Sequence, residues 1–324
     1  MSLEQVKGIG NVGATKLVAN GINNADELSV QRPEEVQSIL GISLKASKDI
    51  INSAKELMSL SSDIFNANDY EEKIDKTARF IHSGSASLDA ILGGGWKTRT
   101  SHGIFGEFST GKSQFCNSAV AFAIDAGYDV CYVETEPNTF NKGRLEQISK
   151  SRELKFDGTK VHVVPATQIG TVYAQMRAYE MLWGAAEKNG WDVALMVVDS
   201  FNAKFRRAFS GREMYPDRAA EFGRHLDYLE EFAKHFNSAT LLPFQVGITP
   251  EAGGQQGDQM RYNIENYPVG GTLVQHNVNT WISLKQVKGG TKSTNVYEAN
   301  LVDSSYLPKA TCQFMINEQG VVDF

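Results

Sequence analysis

"SHGIFGEFSTGKSQF", residues 101–115, decides the fold. An apolar run ends at Gly106. Gly106, Glu107, Phe108, Ser109, Thr110, Gly111, Lys112 and Ser113 then fit G-x-x-x-x-G-K-[ST] in full, just before a helical pattern opens. Strand, glycine-bracketed loop and helix start, in that order, make a cradle for phosphates. The loop N–H groups can turn inward, and the helix dipole favours negative charge. Lys112 is placed to reach β- and γ-phosphates, and Ser113 to bind a Mg2+ ion.

Working outward, apolar strand-like runs recur at 129–134 (DVCYVE), 161–166 (VHVVPA), 193–200 (VALMVVDS), 239–245 (ATLLPFQ) and 280–287 (TWISLKQV). Helical segments at 112–126, 141–150, 168–189 and 217–236 separate the first five of the six runs. Val-, Leu- and Ile-rich strands alternating with helices predict an α/β fold with a mainly parallel central sheet. The segments 294–303 and 310–324 read as antiparallel hairpins at its edge. Residues 1–60 read as a small all-α domain of two tandem turn-plus-helix units. Gly8, Gly10 and Gly13 precede one helix, Pro33 sits in the first turn of another, and Ser43 caps a third. Residues 61–80 form a polar linker with an isolated apolar pair, Ile64 and Phe65, and 81–324 the α/β core.

With 41% apolar and 22% charged residues the composition is that of an ordinary globular chain. No apolar run is long enough to span a bilayer, and the first residues lack a basic-then-apolar leader. No membrane partner and no signal peptide are expected. Cys116, Cys131 and Cys312 lie far apart, with neither metal-ligand spacing nor a disulfide framework; two of them sit in apolar contexts, which predicts buried thiols, and a reducing interior is expected. A net charge of -6 gives nucleic acid no bulk attraction, so any such binding needs a local basic cluster.

Further candidates stand at the ends of the other strands. Asp199 ends VVD and suits a Mg2+ site; the same residue could instead cap the next helix. Glu134 and Glu136 follow the 129–134 strand. Either could orient an attacking water, with Glu136 better placed. Gln245 ends another strand and could report a γ-phosphate. Residues 202–226 gather Arg206, Arg207, Arg212, Arg218 and Arg224, a cluster suited to phosphate neutralisation or to a solvated helix face. Residues 247–271 form a long glycine-rich loop in which Arg261, Tyr262 and Tyr267 could meet a single strand.

Taken together, "HSGSASLDAILGGG", "GEFSTGKSQ", "ETEPNTF" and "VVDS" resemble the archaeal RadA recombinases and their eukaryotic counterparts within the RecA superfamily, over almost the whole chain. The resemblance implies a RecA-like P-loop ATPase core behind a helix-hairpin-helix N-terminal domain. It implies ATP and Mg2+ as ligands, and single- and double-stranded DNA as partners. A homo-oligomeric helical filament, homologous pairing with strand exchange, recombination mediators as further partners, and a cytoplasmic, nucleoid-associated location follow from it as well.

By the same resemblance Glu136 is the catalytic glutamate, Gln245 the γ-phosphate sensor, and Gln114 part of the nucleotide loop. Arg144 packs near the base, and Asp303 caps ATP across a subunit boundary. The arginine cluster falls on the first DNA-binding loop, and Gly270 and Gly271 end the second. A linker anchor aligns Ala67 with the family's alanine and either Ile64 or Phe65 with its aromatic. The glycine turn of the N-terminal domain, with Lys7 and Lys16, either meets DNA or packs against protein.

The chain departs from the family pattern at Glu134, usually Asp, at an added Pro137, at "NKGR", and at Ser305 in place of a proline. The first three lie beside the expected base, and Ser305 lies in the segment that caps ATP. The reading that follows is a strand-exchange recombinase. Its alternative is a regulatory paralogue that binds ATP and DNA, or a partner recombinase, without exchange. A small-metabolite kinase fits the glycine hairpins and arginine loop less well.

Overall fold

A computed structural model describes residues 2–57, 66, 67, 69, 75–166, 171–209, 212–247, 267, 268, 274, 276–289 and 292–324. The chain divides into two compact units, Met1–Thr77 and Ala78–Phe324.

Among the described residues of the first unit, the helices α1 (Asn11–Ala19), α2 (Ala25–Ser29), α3 (Pro33–Leu40) and α4 (Leu44–Leu57) surround one apolar core. Local chemistry sets their ends. Gly10 is the N-cap of α1, Asn24 accepts from the Glu27 N–H, and Pro33 takes the first position of α3, where its missing donor costs nothing. Gly41 closes α3 at φ 69, a left-handed conformation that glycine adopts without strain. Gly13 falls inside α1 rather than in the turn before it. Leu17, Leu28, Val36 and Ala54 fill the centre.

The second unit begins with a two-stranded antiparallel pair, β1 (Phe80–Ile81) and β2 (Trp96–Lys97), on either side of α5 (Ala86–Ile91). The parallel strands are β3 (Ser101–Gly106), β4 (Asp129–Glu134), β5 (Val161–Pro165), β6 (Val193–Asp199) and β7 (Ala239–Gly247). A short β8 (Tyr267–Pro268) pairs antiparallel with β7. Then come β9 (Thr280–Gly289), β10 (Lys292–Ser304), β11 (Ala310–Asn317) and β12 (Gly320–Asp323). The strand order is β12-β11-β10-β9-β3-β7-β6-β4-β5. Contacts from β9 through β3 to β5 are parallel, and those from β9 out to β12 are antiparallel. The helices between them are α6 (Lys112–Asp125), α7 (Lys142–Ser151), α8 (Val172–Asn189), α9 (Ala203–Ala208) and α10 (Tyr215–Phe236).

Side-chain alternation builds a core on each face of the sheet. Ile104, Leu195, Val197, Leu241 and Ile282 point to one side, with Trp96, Phe115 and Phe314. Phe105, Met196, Val198, Leu242 and Trp281 point to the other, with Phe201, Phe205 and Phe222. Pro243 sits in the interior strand β7 because β6 pairing ends at Leu241. Beyond it the Pro243 carbonyl accepts from the Phe201 N–H, and no ladder donor is demanded of the proline on that side. Gly103 is required by proximity: a Cβ there would lie 2.4 Å from the Trp281 ring.

The topology places the site. The chain leaves β3 through α6 and lands on β4, with β7 and β6 in between. The carboxyl ends of β3, β7, β6 and β4 thus face one crevice, where ligands of open parallel sheets bind. In register, Gly106 lies opposite Gln245 and Glu134 opposite Asp199.

The far edge is tied back by Asp323. Its carboxylate accepts from the N–H groups of Ala86 and Ser87 and from the hydroxyls of Ser85 and Ser87, at the start of α5. These bonds hold its pKa below the usual carboxylate range. A depressed carboxylate contributes stability above its unfolded pKa and loses it as pH falls through the folded value. Asp323→Ala should therefore cost about 1 kcal/mol at neutral pH, as other lost helix caps do. Thermal unfolding of both proteins checks this, and the gap should close on acidification below about pH 4.

Candidate nucleotide site

The loop after β3 turns under tight constraints. A Cβ on Gly106 would meet the Leu284 carbonyl oxygen at 2.4 Å, and one on Gly111, at φ 91, would meet Ile316 at 2.3 Å. Ser109 also has a positive φ of 64, and Thr110 Oγ1 donates to the Glu107 carbonyl at 2.9 Å. The loop ends on Gly111, the N-cap of α6. Lys112 Nζ donates to the carbonyls of Gly106 (2.9 Å) and Glu107 (2.7 Å). Burial lowers the lysine pKa, against the opposing charges of Asp199 and Glu136.

A cavity of about 570 Å³ opens over this loop. Gly106 and Phe108 to Gln114 line it, and Ser200, Arg206, Gln245 and Val246 form its inner wall. Tyr297 and Ile316, from the antiparallel strands, complete it. Phe108 is 97% exposed and presents an apolar face at the rim.

Asp199 is buried at the end of β6. Burial raises its pKa to about 6, against the hydroxyls of Ser113, Tyr132 and Ser200 that lie beside its carboxylate. Ser113 and Asp199 are thus neighbours beside the phosphate loop. A hydroxyl and a carboxylate are the hard oxygen donors that Mg2+ prefers, so the pair fits such an ion. Among the described residues no group of three or more His, Cys, Asp or Glu side chains could hold a metal. Phosphate oxygens and water would have to supply the remaining positions.

The two glutamates separate by geometry. Glu134 accepts only a long 3.4 Å bond from the Phe140 N–H, among the bonds recorded for it. Glu136 reaches the cavity wall, where its Oε2 accepts from Ser200 Oγ and its Oε1 from Gln245 Nε2, both at 2.6 Å. Gln245 Oε1 accepts in turn from Arg206 Nη1 at 2.9 Å. Asn202 pins the Gln245 backbone, accepting from its N–H and donating to its carbonyl at 2.9 and 2.8 Å.

Ser200, Asn202 and the buried Lys204 were not singled out by sequence. Lys204 has a pKa lowered by burial and by Arg207, against the charge of Glu136. Their one legible signal is the alternation of polar and apolar residues, Ser-Phe-Asn-Ala-Lys, directly after a buried strand end.

Arg144 donates to Gln114 Oε1, to Gln147 Oε1 and to the carbonyls of Asn317 and Glu318. It ties the β11–β12 turn to α6 at the cavity's edge. Asp303 is exposed on β10, outside the cavity lining.

The family model that matches residues 76–324 is that of Rad51. The chain belongs to the Rad51 family. A SAM-like helix-hairpin-helix tandem matches residues 1–56. A DNA repair and recombination protein RadA from Ignicoccus hospitalis is 31% identical over 334 residues, covering 99% of this chain and 95% of that protein.

In this Rad51-family chain the arginine cluster is spread over several elements. Arg206 and Arg207 are exposed at the end of α9. Arg212 begins a 3-10 turn, Arg218 stacks on Tyr215 at 4.3 Å, and Arg224 pairs with Glu221 at 3.0 Å. The helix α9 is anchored from beneath by Phe205, which stacks on Phe222 with centroids 4.1 Å apart. Arg261, Tyr262, Gly270 and Gly271 lie outside the described residues, as do Ile64 and Phe65. Ala67 is exposed in a helical turn. In the N-terminal unit Lys7, Gly10 and Lys16 are all exposed around the start and face of α1. No helix among the described residues is long and apolar enough to cross a membrane.

Proposed function

We propose that this protein is an ATP-dependent recombinase that assembles as a helical filament on single-stranded DNA and exchanges strands with a homologous duplex. The observation that carries the reading is the convergence of Lys112, Ser113, Asp199 and Glu136 at the ends of neighbouring strands, with Glu136 joined to Gln245. Residues 106–114 bind the triphosphate, with Lys112 on its terminal phosphates. Ser113 and Asp199 hold Mg2+, which neutralises phosphate charge when bound. Glu136 orients the attacking water, and Gln245 senses the γ-phosphate. Arg144 supports the base side, and Asp303 reaches the nucleotide of a neighbouring subunit. Arg206, Arg207, Arg212, Arg218, Arg261, Gly270 and Gly271 meet DNA, and the linker around Ile64, Phe65 and Ala67 anchors the next subunit. Head-to-tail contact of this kind gives filaments.

In this reading ATP shifts the population towards the state that holds DNA, and hydrolysis releases it. The name of the relative from Ignicoccus hospitalis supports the assignment to repair and recombination. Recombination mediators as partners and a cytoplasmic, nucleoid-associated location go with it. The test is ATP turnover with and without single-stranded DNA: stimulation supports the proposal, and indifference to DNA counts against it.

One observation favours a second reading, a regulatory paralogue without strand exchange. The added Pro137 directly follows the proposed base, and Asn138 takes a positive φ of 64 to complete the turn. Strand exchange by the protein alone separates the two readings.

A further inference from the structure

The hydrogen bonds on the inner wall of the cavity have a fixed direction. A guanidinium only donates, and an ionised carboxylate only accepts. Between Arg206 and Glu136, Gln245 accepts from Arg206 through Oε1 at 2.9 Å and donates to Glu136 through Nε2 at 2.6 Å. Turned over, the amide would set its NH2 against the guanidinium and its oxygen against the carboxylate. Arg206 therefore reinforces the orientation that the Glu136 carboxylate requires, and holds the amide in place from its other end. The second carboxylate oxygen is taken by Ser200 Oγ. Each Glu136 oxygen thus already accepts one bond, and the Gln245 N–H competes with water for Oε1.

Arg206 also belongs to the exposed arginine-rich segment, while its neighbour Phe205 is fully buried. The residue is fixed at its base and open at its tip. A phosphate anion competes well for that tip, because it offers the guanidinium a full opposite charge and two acceptor oxygens in a fork geometry, where the amide offers one neutral oxygen.

We propose that Arg206 is a positioning residue that couples nucleic acid to hydrolysis: by holding Gln245 it keeps Glu136 engaged, and a nucleic-acid phosphate that takes the guanidinium frees both. The proposal rests on the reading of Glu136 as the base. It deepens that reading by giving Arg206 a role beyond DNA affinity.

The experiment is steady-state ATP turnover by the full chain, Arg206→Ala and Arg206→Lys, without and with saturating single-stranded DNA. Thermal melts of each variant confirm folding. Arg206→Ala should raise DNA-free kcat several-fold, leave KM for ATP in place, and bring the ratio of DNA-stimulated to DNA-free rates towards one. Arg206→Lys should restore part of the restraint, since an ammonium can donate to the same oxygen. A fall in kcat of Arg206→Ala under both conditions would overturn the proposal and make Arg206 a direct phosphate contact. An unchanged DNA-free kcat would overturn it as well, leaving Arg206 with DNA affinity alone. Failure of the underlying reading looks different: Glu136→Gln would then keep full turnover, whatever Arg206→Ala does.

Discussion

Glu136→Gln should lower kcat for ATP hydrolysis by about 10²–10⁴-fold, the usual contribution of a positioned general base. The substitution keeps shape and removes only the proton-accepting oxygen. Ser200 Oγ and Gln245 Nε2 both donate to that carboxylate, and a glutamine can still accept one of the two bonds. The fold should hold for that reason, and nucleotide affinity should change little, because the phosphate loop is untouched. Single-turnover hydrolysis and equilibrium nucleotide binding, measured side by side, separate the two effects. A variant that binds and hydrolyses normally would move the base elsewhere, with Glu134 the first candidate.

Lys112→Ala should have the opposite signature: binding lost, with whatever chemistry remains hard to saturate. The ammonium sits partly buried between the loop carbonyls and the charges of Asp199 and Glu136. An entering triphosphate would exchange carbonyl contacts for charged ones. Removing one partner of a desolvated charge pair costs about 3–5 kcal/mol, on the order of 10²–10⁴ in nucleotide affinity. Titration with a fluorescent nucleotide reads this directly, and a melt of the nucleotide-free variant controls for folding. Affinity within a few-fold of the parent would mean that Lys112 stays folded on its own loop when nucleotide is bound.

What could be read from the sequence divides along physical lines. The phosphate loop, β3 and the start of α6 were legible because their chemistry is local: glycines where a Cβ would collide, then a helix start. The alternation of buried strands with helices was legible for the same reason, and it gave the mainly parallel sheet with its antiparallel edge. Asp199 could be found because a charge ending an apolar strand is conspicuous.

The inner wall of the cavity could not be found that way. Gln245 and Glu136 are 109 positions apart, and Arg206 and Gln245 are 39. Only the strand order brings them together. Arg206 was legible as one arginine of a cluster, but not as a partner of Gln245. The helix α9 is six residues long and too short to show a period. Tyr297 and Ile316 reach the cavity from strands that sequence could place only as edge hairpins. Asp323 lies next to the last residue, and nothing near it in sequence hints that it caps α5.

Transfer of a labelled strand from a homologous duplex onto single-stranded DNA, with Mg2+ and ATP and this protein alone, tests the central claim most directly. The account predicts transfer that depends on ATP and on homology and is lost in Lys112→Ala. ATP-dependent DNA binding without any strand transfer would contradict it and leave the regulatory paralogue as the better description.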